Sequence, residues 1–331
     1  QCAKGRGEEL NLAADVLPFL DPGRWVSGQE MARSLGISRA AVWKQIQALR
    51  QKGYQISSSP RKGYLLTGQP DLLDPGRIKK DLATKWLGRE LLIMAETSST
   101  NAAALSSIGQ RQNGSIILAE TQRKGRGRLS RSWASPPGGI WMSLVLKPDI
   151  PLSSVYRIAM AVSVSLCRAL SSQLGLETGI KWPNDLLIRE KKVCGILMEV
   201  GAQVDRLDYA VVGVGLNANN DPSAFPGQWR STSLAAELGR GIDRCALIAA
   251  IFNEMEEALD DMDSHELYQE WRSRSLTLGR QVKIISADGD LSGQVVDLDQ
   301  DGALILQQGQ NKKRILAGDC IHLRPSQAPA L

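Results

Sequence analysis

Histidine is nearly absent from this 331-residue chain: only His265 and His322 occur. Two histidines exclude a His-rich metal centre and leave a Ser-His-Asp triad without support. Cysteine is also sparse. Cys2, Cys167, Cys194, Cys245 and Cys320 are scattered, odd in number and never form a C-x-x-C pair. That argues against a zinc site or a disulfide framework, so no metal site is expected. It fits a reducing compartment, and the expected location is the cytoplasm. No apolar run approaches the ~18 residues of a membrane helix, so no membrane partner is expected. Gln1–Leu10 is charged and lacks the apolar stretch of a signal peptide. The phosphate-binding pattern G-x-x-x-x-G-K-[ST] is missing as well.

What is present is an uneven charge. The net charge is +5. Residues 1–64 carry 10 Lys and Arg against 5 Asp and Glu, whereas residues 65–331 carry 30 of each. All the excess positive charge therefore lies in the first fifth of the chain, which points to a polyanion partner for that region alone.

The basic region has the pattern of helix, glycine turn, helix and hairpin. Leu12, Val16, Phe19 and Leu20 have helical spacing. Ser27-Gly28-Gln29-Glu30 reads as a capping box opening a helix that stops at Gly36. Ser38 caps a second helix, 39–52, with Val42, Ile46 and Leu49 on its apolar face. Its other face carries Arg39, Ala40, Trp43, Lys44, Gln47 and Arg50. Two extended pieces, 54–57 and 63–66, flank the tip Pro60-Arg61-Lys62. The spacing fits a winged helix-turn-helix over residues 1–67. Ser38, Arg39, Ala40, Trp43, Lys44, Gln47, Arg61 and Lys62 are the candidate DNA-binding residues.

Residues 68–76 read as a linker. A mixed α/β region follows over 77–275, with strands expected at 91–95, 115–120, 140–146, 186–188, 193–200 and 209–216, and helices at 101–108, 152–174 and 245–262. Strands and helices do not alternate strictly, so a mixed or antiparallel sheet is expected. Residues 276–325 hold five short strands with turns at Asp288-Gly289 and Asp301-Gly302, which suggests a small β-barrel. The fold class is thus α+β and multidomain.

Two familiar patterns fail. Gly213-Val214-Gly215-Leu216-Asn217-Ala218 has dinucleotide-site glycines, but Asn219-Asn220-Asp221-Pro222 breaks the chain where a helix should open. Asp297–Gly302 resembles the start of a calcium loop, but position twelve is Gln308 and a strand interrupts it.

Three segments carry chemistry. Gln122–Trp133 contains five cations between Arg123 and Arg131, two glycines and a terminal tryptophan. Glycines let backbone N–H groups approach an anion, and guanidinium forks match phosphate or carboxylate. A solvated basic loop is the bland reading. Lys181-Trp182-Pro183-Asn184-Asp185 puts a lysine among apolar strands; a surface lysine before a turn is the alternative. Thr97-Ser98-Ser99-Thr100-Asn101 offers small polar groups at a strand end, where an ordinary helix cap is the alternative.

Taken together, these residues resemble the bifunctional biotin protein ligases that also repress the biotin operon. The resemblance runs through Ser38-Arg39-Ala40-Ala41, Lys62-Gly63-Tyr64, Ser99-Thr100-Asn101, Gly125-Arg126-Gly127-Arg128 with Trp133, Lys181–Asp185, Lys192–Ile196 and Gly213–Asn217. It implies a class II synthetase-like central domain and an SH3-like C-terminal barrel. It implies two steps: biotin and ATP with Mg²⁺ form biotinyl-5′-AMP, and the acyl group then moves to a lysine of a biotin carboxyl carrier domain of acetyl-CoA carboxylase. By the same resemblance Lys181 and Arg128 are catalytic. Ser99, Thr100, Asn101, Gln122, Arg126, Gly127, Arg128, Lys181, Gly213 and Leu216 hold biotin. Gly125, Arg126, Gly127, Arg128, Arg131, Trp133, Asn184 and Asn217 hold the adenylate.

The chain departs from the family at Ser130, where glycine is usual. Serine tolerates positive φ poorly, so slower adenylation or faster loss of adenylate is expected. Repulsion among the loop cations should keep the loop mobile until an adenylate orders it. In the family that ordering favours a homodimer, which binds operator DNA. A lipoate-type acyl-adenylate ligase and a ligand-sensing transcription factor without transfer activity remain alternatives.

Overall fold

The computed structural model describes residues 16–20, 22–51, 54–68, 71–203, 205–221, 231–286 and 289–323. The chain divides into two compact units, Gln1–Asp71 and Leu72–Leu331.

In the first unit, α1 (Gly28–Leu35) and α2 (Arg39–Gln51) precede a hairpin of β1 (Gln55–Ser59) and β2 (Gly63–Gly68). Ser27 caps α1 by accepting from the Gln29 amide, and Gly36 ends it at φ 65°. Glycine is required there because left-handed backbone strains other residues. Met31, Val42, Ile46 and Leu49 close one core with Val16, Ile56 and Leu66 from the flanking segments. The helix expected from Leu12 falls partly outside the described residues; its described end is a single 3₁₀ turn, Leu17–Phe19. Lys52, the expected last residue of α2, also lies outside them.

The second unit opens with α3 (Pro75–Lys80), capped by Asp74. Residues 68–76 were expected to form a linker. Leu73 is instead buried in the second unit's core, and its amide donates to Glu120. A seven-stranded sheet follows. Its strands are β3 (Leu91–Thr97), β4 (Ser115–Gln122), β5 (Ile140–Leu146), β6 (Gly179–Lys181), β7 (Asp185–Ile188), β8 (Lys191–Gln203) and β9 (Arg206–Leu216). Their order is β3-β4-β5-β9-β8-β7-β6. Among the described strand pairs of this sheet, β3 and β4 run parallel, joined through α4 (Thr100–Ser106), and the rest antiparallel, so the sheet is mixed, as its irregular pattern predicted.

Strand alternation sorts the faces. Val212, Val214 and Leu216 meet the apolar side of α5 (Val155–Leu174) and α7 (Arg244–Asp260) in the main core. Ile117, Val145 and Val211 meet Ala104 of α4 on the other side. Short α6 (Leu234–Leu238) and α8 (His265–Ser273) complete the helices described.

The last strands are β10 (Gln281–Ser286), β11 (Gly289–Leu298), β12 (Leu304–Gln308), β13 (Asn311–Ile315) and β14 (Asp319–His322). They form an antiparallel sheet in the order β13-β12-β11-β10-β14. Among the described residues no pairing joins β13 to β14, which lie at the two ends of this order. The calcium-like segment is the β11–β12 turn, where Arg314 pairs with Asp299 and Asp301.

Candidate active site

The ends of β3 and β4 bring together a buried polar cluster. Ser99, Thr100 and Asn101 are 4%, 3% and 3% exposed. Ser99 stands at the start of α4 but makes no side-chain cap. The free amide of Thr100 donates instead to Gln122 Oε1 at 2.8 Å, and Gln122 Nε2 donates to Ser135 at 2.8 Å. Ser143 Oγ lies 2.7 Å from Thr100 Oγ1 and 2.6 Å from Asn101 Oδ1. Asn101 Nδ2 donates to Glu199 at 2.7 Å. Thr100 and Asn101 are instead fixed by a side-chain network with Gln122, Ser143 and Glu199.

The basic segment crosses the mouth of the same cleft. Gly127 N donates to Arg131 O at 2.7 Å, and Arg131 N to Arg128 O at 3.2 Å. Leu129 and Ser130 at this turn have φ 52° and 58°. Two consecutive residues with a Cβ are held in left-handed backbone, which costs of order 1–3 kcal/mol each. The expected mutual repulsion is countered by individual acceptors. Arg126 places Nη2 2.9 Å from both Glu199 oxygens, Arg128 donates to Asn184 Oδ1 at 3.2 Å and Gly318 O at 3.1 Å, and Arg131 pairs with Asp319. Burial pushes the Arg128 guanidinium below its ordinary pKa, and the Asp319 and Asp185 carboxylates offset part of that.

Lys181 ends β6 and lines the cleft. The C-terminal sheet holds its neighbour: Trp182 N donates to Thr277 Oγ1 at 3.0 Å, and Trp182 Nε1 donates to Gly302 O at 2.9 Å. Thr277 Oγ1 lies 3.0 Å from His322 Nε2. Burial, then the charges of Lys181 and Arg280, lower the His322 pKa to about 4. Thr277 Oγ1 therefore accepts from Trp182 and shares a hydrogen bond with a neutral His322.

Trp133 covers the β8–β9 floor. A Cβ on Gly215 would lie 2.5 Å from Trp133 Nε1, and one on Gly195 would lie 3.1 Å from Trp133 Cζ3. Only glycine allows that approach. Lys192 Nζ sits 4.9 Å from the Trp133 ring centroid and 2.8 Å from Asp185. Among the described residues the buried Trp133 Nε1 donor has no acceptor. The resulting cleft encloses about 170 Å³.

Most expected residues meet here: Ser99, Thr100, Asn101, Gln122, Arg126, Gly127, Arg128, Arg131, Trp133, Lys181, Asn184 and Gly213 all line one cleft. Three do not behave as expected. Leu216 is fully buried in the main core, because strand alternation turns it away from Gly213 and Gly215. Gly125 packs backbone to backbone against Trp133 and does not line the cleft. Asn217 reaches the lining, but its amide is engaged by Thr232 O and Asn220. Sequence reasoning missed Glu199, Ser143 and Asp319. A serine inside the apolar strand Ile140–Leu146 and an acid at the end of another were available signals, since buried polar groups need partners. Asp319 offered none.

No thiol is poised as a nucleophile among the described cysteines. Burial raises Cys320 to about 12 and Cys167 to about 11, and Cys194 higher still.

In the first unit, Arg39, Ala40, Trp43 and Lys44 are exposed on α2, Trp43 by 55%, with Gln47 partly so. Ser38 Oγ accepts from Ala41 N at 3.1 Å. Arg61 and Lys62 are exposed at the hairpin tip.

A helix-turn-helix unit joined to a mixed-sheet ligase-type domain and a small antiparallel sheet defines the class. Residues 16–65 match the HTH domain, 93–217 the Biotin/lipoate A/B protein ligase family and 277–323 the Biotin protein ligase C terminal domain. The Bifunctional ligase/repressor BirA of Bacillus subtilis (strain 168) is 35% identical over 302 residues, 89% of this chain and 93% of that protein. Its counterpart in Escherichia coli (strain K12) is 29% identical over 94% of this chain and 97% of its own. The solved biotin protein ligase from Aquifex aeolicus in complex with biotin and ATP superposes with a TM-score of 0.62 at 28% identity, covering 71% of this chain and 99% of that one. The chain belongs to the family of bifunctional ligase/repressors.

Proposed function

We propose that this protein forms biotinyl-5′-AMP from biotin and ATP, transfers biotin to a lysine of a biotin carboxyl carrier domain of acetyl-CoA carboxylase, and represses transcription when the adenylate is bound. The observation that carries the ligase reading is the convergence of Lys181, Arg126, Arg128 and Arg131 on one cleft floored by Ser99, Thr100, Asn101 and Gln122.

A biotin carboxylate oxygen attacks the α-phosphorus, a P–O bond forms and pyrophosphate departs. Negative charge grows where two anions meet. Pre-placed cations and N–H donors at such a point are worth about 3–4 kcal/mol each. Lys181 serves the α-phosphate and carboxylate oxygens; Arg126, Arg128 and the Gly127 backbone hold the phosphoryl and acyl groups. The buried polar cluster takes the other end of the acid. Trp133 packs against the adenylate, and an entering ligand can satisfy its Nε1. A carrier lysine amine then attacks the acyl carbon and AMP leaves, so no protein nucleophile is needed.

Mg²⁺ is carried in with the nucleotide. Among the described residues no group of three or more His, Cys, Asp or Glu could hold a metal, and Asp185 is a cleft carboxylate able to complement a phosphate-bound ion. The domain limits follow the sequence reading, 1–67, 77–275 and 276–325, with Leu73–Gly76 of the 68–76 linker assigned to the ligase part. In the homodimer, paired α2 helices enter successive major grooves, with Arg39, Trp43, Lys44 and Gln47 toward the bases and Arg61 and Lys62 on phosphates. Among the described residues, four cysteines are free thiols, which fits a cytoplasmic protein.

Biotin-dependent ATP–pyrophosphate exchange tests the ligase reading, with lipoate in a parallel arm. Exchange with biotin alone, and labelled biotin on a carrier domain, are expected. Lys181→Ala should lower exchange at least a hundredfold, the loss typical of one removed oxyanion donor. Near-normal exchange by that variant removes Lys181 from its role.

A further inference from the structure

The basic turn is fastened from outside the ligase sheet. Arg128 Nη2 donates to Gly318 O at 3.1 Å and Arg131 Nη2 pairs with Asp319, both from the start of β14. Asp319 is well placed to be rigid. Its side chain is 18% exposed, against 47% for Arg131, and its backbone pairs with Ile285 of β10. Gly318 has φ 150°, and a Cβ there would lie 2.7 Å from Ile284 Cγ2. The carbonyl that receives Arg128 is therefore set by a backbone only glycine can adopt.

The turn itself pulls the other way. Leu129 and Ser130 are both left-handed, and Leu129 is 65% exposed, so its packing does not offset the strain. Arg128 and Arg131 also repel each other, while the charge of Asp319 favours Arg128. Contacts at the two arginines must hold the strained tip closed. Asn184, in the turn between β6 and β7, supplies one of them; Gly318 and Asp319 supply others.

We propose that Asp319 is a positioning residue that latches the basic loop shut over the adenylate, so that the C-terminal sheet sets how long the intermediate is retained. The proposal rests on the cleft being the adenylate site. Asp319 does not touch the reacting atoms; it neutralises Arg131 and holds the turn in register for Arg128 and Gly127. The latch must also open, since a carrier lysine has to reach the acyl carbon. An ion pair half open to solvent suits that task better than a buried one.

The test uses the full chain with biotin and ATP. Labelled biotinyl-adenylate is formed in the cleft, excess ligand is removed, and its release is timed. Asp319→Asn should release it about tenfold faster, equivalent to about 1.4 kcal/mol. Non-specific biotinylation of bystander lysines should rise in parallel. Asp319→Glu should restore most of the retention. Ser130→Gly in the Asp319→Asn background should also restore part of it, because it removes strain the latch opposes. A purely structural role would not give that second rescue. Should Asp319→Asn fold poorly, Arg131→Gln removes the same pair from the loop side and should show the same acceleration. Release within twofold of the parent in both single variants overturns the latch. Lack of biotin-dependent exchange in the unaltered protein counts instead against the ligase site, so the two failures are separable.

Discussion

His322 shows how a residue far along the chain serves Lys181. It shares a hydrogen bond with Thr277, which accepts from the Trp182 amide beside the lysine. Burial first, and then the cations Lys181 and Arg280, keep it neutral to about pH 4. The unfolded chain binds that proton near the ordinary histidine pKa of ~6.5. Between those values the unfolded state holds more protons, so acid favours unfolding. Stability tied to His322 is complete above about pH 6.5 and is lost as pH falls toward 4. His322→Gln keeps a hydrogen-bond partner for Thr277 and removes the titration. Its thermal unfolding midpoint should therefore fall less than the parent's between pH 6.5 and 4.5. Parallel curves would assign the acid sensitivity to other groups.

Among the elements, glycine positions separate cleft from scaffold. Gly213 lies in β9, and a Cβ there would lie 2.3 Å from Asn101 Oδ1. Asn101 cannot yield readily, being held by Glu199, Leu197 O and Ser143. Gly213→Ala should cost about 1–3 kcal/mol as an overpacked site and lower biotin-dependent exchange sharply. Gly175 ends α5 at φ 64° with open space around it. Gly175→Ala should cost about 1 kcal/mol through backbone strain and leave exchange unchanged. Denaturant melts paired with exchange assays check the contrast; equal exchange in both variants would reject it. The comparison also shows what a sequence can and cannot carry. The strand holding Gly213 was legible from its apolar run, and the Gly-Arg-Gly-Arg and Lys-Trp-Pro-Asn-Asp segments gave most of the cleft. The short helices Pro75–Lys80, Leu234–Leu238 and His265–Ser273 were not expected, since five to nine residues give little periodicity. Leu216 was misplaced because its face depends on register, and an error of one residue reverses a side chain. Asp319 stayed hidden because its partner lies 188 positions away and nothing local marks it.

For the whole molecule, the charge partition assigns labour. Residues 1–64 hold the entire net +5, and the remaining residues balance. The second unit keeps its arginines largely paired within the fold, as Arg126, Arg131, Arg168, Arg244 and Arg272 do. The first unit instead presents Arg39, Lys44, Arg61 and Lys62 to solvent. Electrostatic binding to DNA should therefore come from the first unit, through release of counterions from phosphates. Alanine at Arg61 or Lys62 should lower the slope of log affinity against log salt by about 1 each, with similar loss on specific and random duplexes. Changes at the α2 residues Arg39 or Lys44 should weaken operator binding more than random binding, by about 1–3 kcal/mol where a base contact is lost. Anisotropy titrations from low to physiological salt measure both, with and without biotin and ATP. If the adenylate is the corepressor, operator affinity rises only when both substrates are present, and the hairpin variants keep that rise while starting from weaker binding. Equal operator affinity in the two conditions would leave the ligase and the DNA-binding unit as neighbours on one chain with no energetic coupling.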